Sequence, residues 1–194
     1  MKICFATNNH HKIEEVRQVL GDHFSLTSLL EIGCTEELPE TRDTLEGNAL
    51  QKAEYVFNNF SISCFADDTG LEVDALNGAP GVYSARYAGD QRNSDDNMRL
   101  LLENLGDRPN RRAQFRTVIA LLQHGKDPVL FEGILPGKII TEKRGQQGFG
   151  YDPLFIPDSS TKTLAEMSME EKNQLSHRAI AVKKLVEYLK NSVS

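Results

Sequence analysis

Residues 62–76 read ISCFADDTGLEVDAL and place two adjacent carboxylates between two strand-like runs. Residues 62–66 are mostly apolar and predict a buried strand that ends at Asp67 and Asp68. Residues 71–76 alternate with a period of two, which predicts a second, half-exposed strand. The acidic pair therefore has two interpretations, either a turn rich in aspartate or a chemical group held at the end of a strand.

Around this stretch, strand and helix patterns alternate at first, and strand patterns lie next to each other in the middle of the chain. We predict strands at residues 2–6, 24–29, 113–123, 129–135 and 137–141, and helices at residues 12–20, 43–60, 93–105 and 169–190. Asp43 with Glu46, and Ser168 with Glu171, have the spacing of N-terminal helix caps. The order favours a mixed-sheet α/β fold in one domain, residues 1–194, whose hairpin-like middle can form a lobe beside a cleft.

The bulk composition is that of an ordinary globular protein, with 194 residues, 39% of them hydrophobic and 26% charged. A net charge of −6 argues against nucleic acid as a partner, because nucleic-acid binding needs a basic surface. No apolar stretch approaches the ~20 residues that cross a membrane, and no signal peptide is apparent. Cys4, Cys34 and Cys64 have the spacing of neither a zinc site nor a disulfide framework, so we expect a cytoplasmic protein.

A first polar cluster follows the first predicted strand, where a helix is expected to begin. Hydroxyl and amide groups, helix N–H groups and one lysine there can cradle phosphates. The alternative is ordinary capping of the helix, with the lysine in solvent. The cluster consists of Thr7, Asn8, Asn9, His10, His11 and Lys12.

The acidic pair is the second cluster, and it is followed by Thr69 and a glycine. Carboxylates at a strand end can hold magnesium together with phosphate oxygens and water, and one of them can act as a general base. Because adjacent strand residues point to opposite faces, Asp67 and Asp68 should have different roles. Glu40 can be a further metal ligand, although an exposed loop carboxylate is the simpler interpretation.

A third cluster is the sequence GFGYDP at residues 148–153. Phe149 and Tyr151, on either side of Gly150, can stack on a nucleotide base, and Asp152 can accept a hydrogen bond from the N–H edge of that base. The alternative is a turn whose aromatic rings pack onto the core.

The fourth cluster combines Lys172 with the tripeptide Ser176, His177 and Arg178. Residues 172 and 176 are one helical turn apart, so we expect them to share a helix face. A solvated basic face is the alternative interpretation.

Six motifs, taken in this order, are similar to those of one protein family. They are TxNxxK at residues 7–12, ETxxTLExNA at 40–49, ADDTGL at 66–71, GAPGxYSARY at 78–87, GFGYDP at 148–153 and SHR at 176–178. The chain resembles the Ham1/RdgB family, the non-canonical purine nucleoside triphosphate pyrophosphatases, over nearly its whole length.

The resemblance implies an elongated mixed α/β fold with two lobes and a central cleft, a homodimer, and dependence on magnesium. It also implies hydrolysis of inosine, deoxyinosine and xanthosine triphosphates to the monophosphate and pyrophosphate, which keeps these nucleotides out of DNA and RNA. A nucleotide would then be the small-molecule partner.

The resemblance also implies roles for individual residues. Asp68 corresponds to the proton acceptor and metal ligand, and Glu40 to the second metal position. Our own hypothesis adds that Asp67 is a structural partner that supports Asp68. Residues 7–12 would hold phosphates. The nucleotide would be bound by Thr69, Phe149, Gly150, Tyr151, Asp152, Lys172, His177 and Arg178. The family more often has smaller residues at Asn8, His10 and His11 and a serine at Thr69.

Base selectivity follows from hydrogen-bond chemistry. Hypoxanthine and xanthine carry an oxygen where adenine carries an amino group, so a donor such as Arg178 or His177 would favour the first two. Two alternative functions remain: a pyrophosphatase for another modified nucleotide, and a nucleotide-binding sensor without turnover. The intact acidic pair, Glu40 and Lys12 argue against the sensor.

Overall fold

The structure is a computed structural model that describes residues 2–20 and 24–191. Within these ranges the α-helices are α1 (His10–Leu20), α2 (Leu45–Phe60), α3 (Ser94–Leu105), α4 (Met169–Leu175) and α5 (His177–Asn191). The strands are β1 (Lys2–Phe5), β2 (Ser25–Thr27), β3 (Cys64–Val73), β4 (Pro80–Gly81), β5 (Arg112–Leu122), β6 (Val129–Ile139) and β7 (Phe155–Pro157).

Hydrogen bonding joins the strands in the order β2-β1-β3-β5-β6-β7, and β4 pairs with β3. β1 runs parallel to both β2 and β3, with Cys4 opposite Cys64, whereas β6 and β7 are antiparallel. The predicted mixed-sheet α/β class is therefore confirmed. None of the helices in the described ranges has the length and apolar character needed to span a bilayer.

The chain divides into two compact units. The first comprises the chain up to Asp68, Thr117–Gly133, and the chain from Arg178 onward; the second comprises Thr69–Arg116 and Ile134–His177. Strands β3, β5 and β6 each contribute residues to both units. The cleft that the sequence suggests stays a prediction.

The first unit has a core built from strands β1, β3, β5 and β6 and from helices α1 and α5. Phe5 and Phe65, on neighbouring parallel strands, stack with ring centroids 4.6 Å apart. Helix α1 buries Val16 and Leu20, as its apolar spacing predicts. This packing fixes the ends of β1 and of the first half of β3, from which the polar residues of the first unit extend.

The second unit has its own core, which contains Leu101 of α3 and Tyr151. Phe115 of β5 contacts Phe155 of β7 with ring centroids 4.8 Å apart. Asn93 caps α3 by accepting a hydrogen bond from the backbone N–H of Asp96. This core supports the loop that carries residues 148–153.

The prediction that a strand ends at the acidic pair is wrong, because β3 continues through it to Val73. The continuation is possible because β4 pairs with β3, Leu71 lying opposite Gly81. Gly70 is required for this approach, since a Cβ there would lie 2.6 Å from the carbonyl oxygen of Gly81. Asp67 and Asp68 are thus held inside a strand.

The single C-terminal helix predicted over residues 169–190 is wrong as well. Ser176 has a ψ of 149° and separates α4 from α5, so residues 172 and 176 do not share a helix face. The predicted cap at Ser168 is confirmed, because Ser168 and Glu171 form both hydrogen bonds of a capping box. The break arises where Ser176 donates its backbone N–H to Lys172 and then leaves the helical conformation.

Other element boundaries differ in detail. The two strands predicted over residues 129–141 are one strand, β6, and β2 is shorter than predicted. Thr44, not Asp43, caps α2, because its side chain accepts from the backbone N–H of Gly47. Strand β7 was not predicted, since three residues give too short a pattern to recognise.

Candidate active site

Asp67 belongs to the first unit and is fully buried between two cations. The ammonium nitrogen of Lys12 lies 2.9 Å from its Oδ1, and Nε of Arg178 donates to its Oδ2 over 3.0 Å. Helix α1 supplies Lys12 and the start of α5 supplies Arg178. Burial alone would raise the pKa of Asp67, but the charges of Lys12 and Arg178 hold it well below its ordinary value of 3.8.

Asp68 faces a different set of groups from those around Asp67. Its Oδ2 accepts from Nδ2 of Asn48 over 3.2 Å, and its Oδ1 lies 3.6 Å from Nζ of Lys52. Burial raises the pKa of Asp68, Lys52 opposes the rise, and the nearby charge of Glu40 adds to it. A carboxylate with a raised pKa is the more basic of the pair and the better proton acceptor.

Glu40 is half-buried and forms an ion pair with Lys52, with Nζ and Oε1 2.5 Å apart. The interpretation of Glu40 as a loop carboxylate exposed to solvent is therefore wrong. Burial would lower the pKa of Lys52, but Asp68 and Glu40 together raise it. The ammonium group of Lys52 thus lies close to two carboxylates, those of Glu40 and Asp68.

This arrangement suits a hard divalent cation. Magnesium in nucleotide enzymes is held by one or two protein carboxylates and completed by phosphate oxygens and water. Asp68 and Glu40 are such a pair, since both lie within 4 Å of the same ammonium group. In the described part of the chain no cluster of three or more histidine, cysteine or acidic side chains is arranged to hold a metal by itself.

Arg178 is buried and lies between two carboxylates of the first unit. Its Nη1 donates to Oε2 of Glu15 in α1, in addition to the bond from Nε to Asp67. Burial would lower the pKa of Arg178, but Glu15 and Asp67 raise it, so the guanidinium stays charged. The donation of a hydrogen bond from Arg178 to a base oxygen stays a prediction. In the structure, Glu15 and Asp67 orient the Arg178 side chain.

The first polar cluster both caps a helix and contributes a buried charge. Thr7 Oγ1 accepts from the N–H of Asn9, and Asn9 Oδ1 accepts from the N–H of Lys12. The side chain of Lys12 is only 14% exposed and its ammonium is paired with Asp67, so the alternative of a lysine in solvent is wrong. Burial lowers the pKa of Lys12 and Asp67 opposes this. Three members of the cluster are exposed: Asn8, His10 and His11.

In the second unit, Asp152 organises the loop of residues 148–153. Its Oδ2 accepts from the N–H of Phe149 over 3.0 Å and from Nζ of Lys172 over 2.8 Å. Lys172 is buried, and its Nζ lies 4.9 Å from the centre of the Phe149 ring. Gly148 has a φ of +78°, and a Cβ there would lie 2.2 Å from Asp152 Oδ2, so only glycine fits.

The two aromatic residues of this loop differ in their surroundings. Tyr151 is 4% exposed and packs in the core, and its hydroxyl donates to the carbonyl of Ser84 over 2.8 Å. Burial raises the pKa of Tyr151. Phe149 is half-buried. Phe149 is therefore the better candidate for stacking on a ligand, while Tyr151 anchors the loop.

His177 and Thr69 complete the set of predicted residues in the second unit. The ring of His177 stacks on Phe115 with centroids 4.7 Å apart and an interplanar angle of 14°. Thr69 is half-buried in β3. Lys172, Ser176 and His177 are all buried, so the interpretation of this region as a solvated basic face is wrong.

Reasoning from sequence missed three residues of the first unit: Glu15, Asn48 and Lys52. Asn48 and Lys52 are four residues apart on α2, so they share a helix face, and Asn48 belongs to the motif that begins at Glu40. That spacing could have indicated them. Nothing local distinguishes Glu15 from its neighbour Glu14.

Comparison with known proteins gives consistent matches over the length of the chain. The model of the Ham1 family matches residues 3–188. A dITP/XTP pyrophosphatase of Porphyromonas gingivalis is 56% identical over 190 residues, which are 97% of each protein. One of Flavobacterium johnsoniae is 53% identical over 189 residues, 97% of this chain and 98% of its own length. The solved structure of the Staphylococcus aureus Ham1 protein matches with a TM-score of 0.90 at 38% identity, covering 99% of this chain and 100% of its own.

Proposed function

The chain belongs to the Ham1 family, and we propose that it hydrolyses inosine, deoxyinosine and xanthosine triphosphates to the monophosphate and pyrophosphate. It is a nucleoside triphosphate pyrophosphohydrolase, a hydrolase of acid anhydrides. Two relatives named dITP/XTP pyrophosphatase support this function, because each shares more than half of its aligned residues with this chain. One observation carries it: the buried carboxylate of Asp68 lies 3.6 Å from Nζ of Lys52, which also forms an ion pair with Glu40.

In this proposal, the residues that bind the phosphates and the metal belong to the first unit. Asp68 and Glu40 would hold Mg²⁺, which would neutralise phosphate charge and polarise the phosphorus centre. Lys12, Lys52 and the amide and hydroxyl groups of residues 7–12 would bind phosphate oxygens. Positive charge is needed there because a triphosphate brings about four negative charges to an acidic protein.

Asp68 orients the attacking water and accepts its proton at a carboxylate oxygen. Attack on the α-phosphorus releases pyrophosphate and leaves the monophosphate. Asp67 does not take part in the proton transfer, because its low pKa keeps it ionised and paired with Lys12 and Arg178. Its role is to hold those two cations in position.

The base-binding residues belong to the second unit in this proposal, together with Arg178. Phe149 stacks on the base, and the Asp152–Lys172 pair holds the loop of Phe149 in place. His177 or Arg178 donates to the 6-oxo group of the base. Adenine would leave that donor facing an amino group, which costs binding energy.

Three further expectations extend the proposal. We expect the chain to act as a single pyrophosphatase domain, as a homodimer, in the cytoplasm. Light scattering behind a sizing column tests the dimer, and a monomer at assay concentration that retains full activity would contradict it.

Pyrophosphate release across a panel of triphosphates tests the function. With Mg²⁺, rapid release from inosine, deoxyinosine and xanthosine triphosphates and slow release from ATP are expected; GTP shares the 6-oxo group, so its exclusion would require a contact at the 2-amino position of guanine. Asp68→Asn serves as the matched inactive control. Turnover only of a modified pyrimidine would indicate a different pyrophosphatase, and tight nucleotide binding without any turnover would indicate a sensor.

A further inference from the structure

Helix α2 contacts the segment that carries Glu40 through side chains on one of its faces. Gln51 makes two hydrogen bonds with Thr41: its Oε1 accepts from the backbone N–H over 3.0 Å, and its Nε2 donates to Oγ1 over 2.9 Å. One residue further along, Lys52 forms the 2.5 Å ion pair with Glu40. The helix therefore binds consecutive residues of the segment.

Asn48 lies one turn earlier on the same face and makes a different pair of bonds. Its Oδ1 accepts from the backbone N–H of Arg42 over 2.8 Å, and its Nδ2 donates to Oδ2 of Asp68 over 3.2 Å. The side chain is 1% exposed. A carboxamide can accept on one side and donate on the other, which neither a carboxylate nor an apolar side chain of similar size can do.

Gly47 makes room for this arrangement. A Cβ at Gly47 would lie 2.8 Å from Cβ of Arg42, closer than carbon atoms pack, so a larger residue would push the segment away from the helix. The glycine and the three side chains thus hold the segment against α2.

We infer that Asn48 is a positioning residue that joins Asp68 to the segment carrying Glu40 and so sets the spacing of these two carboxylates. The inference rests on the proposed function, in which the two carboxylates share one divalent cation. Asp68 comes from β3 and Glu40 from a loop, so no common element fixes their separation. Asn48 touches both the carboxylate and the loop backbone, and it occupies a rigid helix.

The experiment uses Mn²⁺ as the probe, since free Mn²⁺ is measured directly by electron paramagnetic resonance. Asn48→Leu removes both hydrogen bonds and keeps the branching at Cγ in a larger apolar side chain, and Asn48→Ser removes the bridge without adding apolar surface. Asn59→Leu is the matched control, because Asn59 is an exposed asparagine of the same helix that bonds only locally, to the carbonyl of Tyr55. Backbone hydrogen exchange at Arg42 is the second readout.

We expect both Asn48 variants to weaken Mn²⁺ binding by about tenfold or more, the usual effect of removing a partner that orients a metal ligand. Exchange at the Arg42 amide should become faster in both, because its acceptor is lost. Asn59→Leu should match the wild type in both readouts. If Asn48→Leu fails to fold, the Mn²⁺ affinity and the Arg42 exchange of Asn48→Ser test the inference.

A folded Asn48 variant with wild-type Mn²⁺ affinity would overturn the inference, whether or not exchange at Arg42 becomes faster. A wild-type protein that neither binds Mn²⁺ nor releases pyrophosphate from inosine triphosphate would instead overturn the proposed function. In that case the exchange rate of Arg42 still decides whether Asn48 holds the segment.

Discussion

Asp67 and Asp68 are adjacent on β3, yet their carboxyl pKa values are shifted in opposite directions. Both are buried, and burial raises the pKa of each. For Asp67, Lys12 and Arg178 outweigh that effect; for Asp68, Lys52 does not, and the charge of Glu40 adds to the rise. The two neighbouring residues therefore lie in different electrostatic environments, which favours the ionised form of Asp67 more strongly than that of Asp68.

Asp68→Asn tests the assignment of the base. We expect kcat on inosine triphosphate to fall by about 10²–10⁴-fold, the usual loss when a general base is removed. Thermal stability should not fall, because the substitution removes a charge that burial disfavours. Pyrophosphate release measures kcat, and a thermal unfolding curve measures stability. Wild-type kcat in this variant would contradict the assignment.

Asp67→Asn should instead lower stability. It leaves Lys12 and Arg178 buried beside a neutral group, and removing one partner of a buried ion pair costs about 3–5 kcal/mol. Urea unfolding gives the free energy. Asp158→Asn is the control, since the pair of Asp158 with Arg112 is exposed and should cost no more than about 1 kcal/mol. Equal losses in the two variants would show that Asp67 is not a structural anion.

The pH dependence of stability should reveal Asp67 as well. The pKa of Asp67 is lower in the folded state than its ordinary value of 3.8. Its contribution to folding stability is therefore fully present above pH 3.8 and is lost as the pH falls below it. As the unfolded chain takes up this proton first, stability should drop by up to about 1.4 kcal/mol per pH unit below roughly pH 4. Urea unfolding of the wild type and of Asp67→Asn across about pH 5 to 3 gives the difference. Parallel curves would rule out this linkage.

Arg178→Ala tests base discrimination. We expect its activity on inosine triphosphate to fall far more than its activity on ATP, because only the 6-oxo base accepts from the guanidinium. Arg178→Lys keeps the charge but replaces the planar guanidinium, which donates to Asp67 from Nε and to Glu15 from Nη1, with a single ammonium nitrogen, so it should also lose selectivity. The ratio of kcat/KM for the two nucleotides is the measurement. Equal losses on both would indicate a phosphate contact instead.

Lys172→Met should destabilise the second unit by about 3–5 kcal/mol, since it leaves Asp152 buried without its cation. The double variant Asp152→Asn with Lys172→Met removes both charges and should recover part of that loss. A double-mutant cycle in urea measures the coupling. Strictly additive losses would show that the pair does not act as a unit.

Local sequence patterns predicted much of the fold, because helices, strands and caps depend mainly on residues that are close together in the chain. The apolar spacing of α1 and the Ser168–Glu171 cap are confirmed, and so is the mixed-sheet class. The predictions that are wrong concern interruptions and continuations, namely the break at Ser176 and the passage of β3 through the acidic pair. The continuation of β3 depends on pairing with β4, and the break at Ser176 depends on buried contacts. Neither can be recognised from a short stretch of sequence.

The candidate site divides in the same way. The residue types of the acidic pair, Lys12, Asp152 and Lys172 were all recognisable in the sequence, and their motif order pointed to one family. Local sequence could not distinguish the two aspartates, and only the family resemblance singled out Asp68, because their neighbours in space are distant along the chain: Arg178 is 111 positions from Asp67, and Asn48 is 20 from Asp68. Sequence by itself determined the chemical groups and the local elements that carry them. Only the tertiary structure decided which charged groups surround each of them, since burial and ion pairing act through space rather than along the chain.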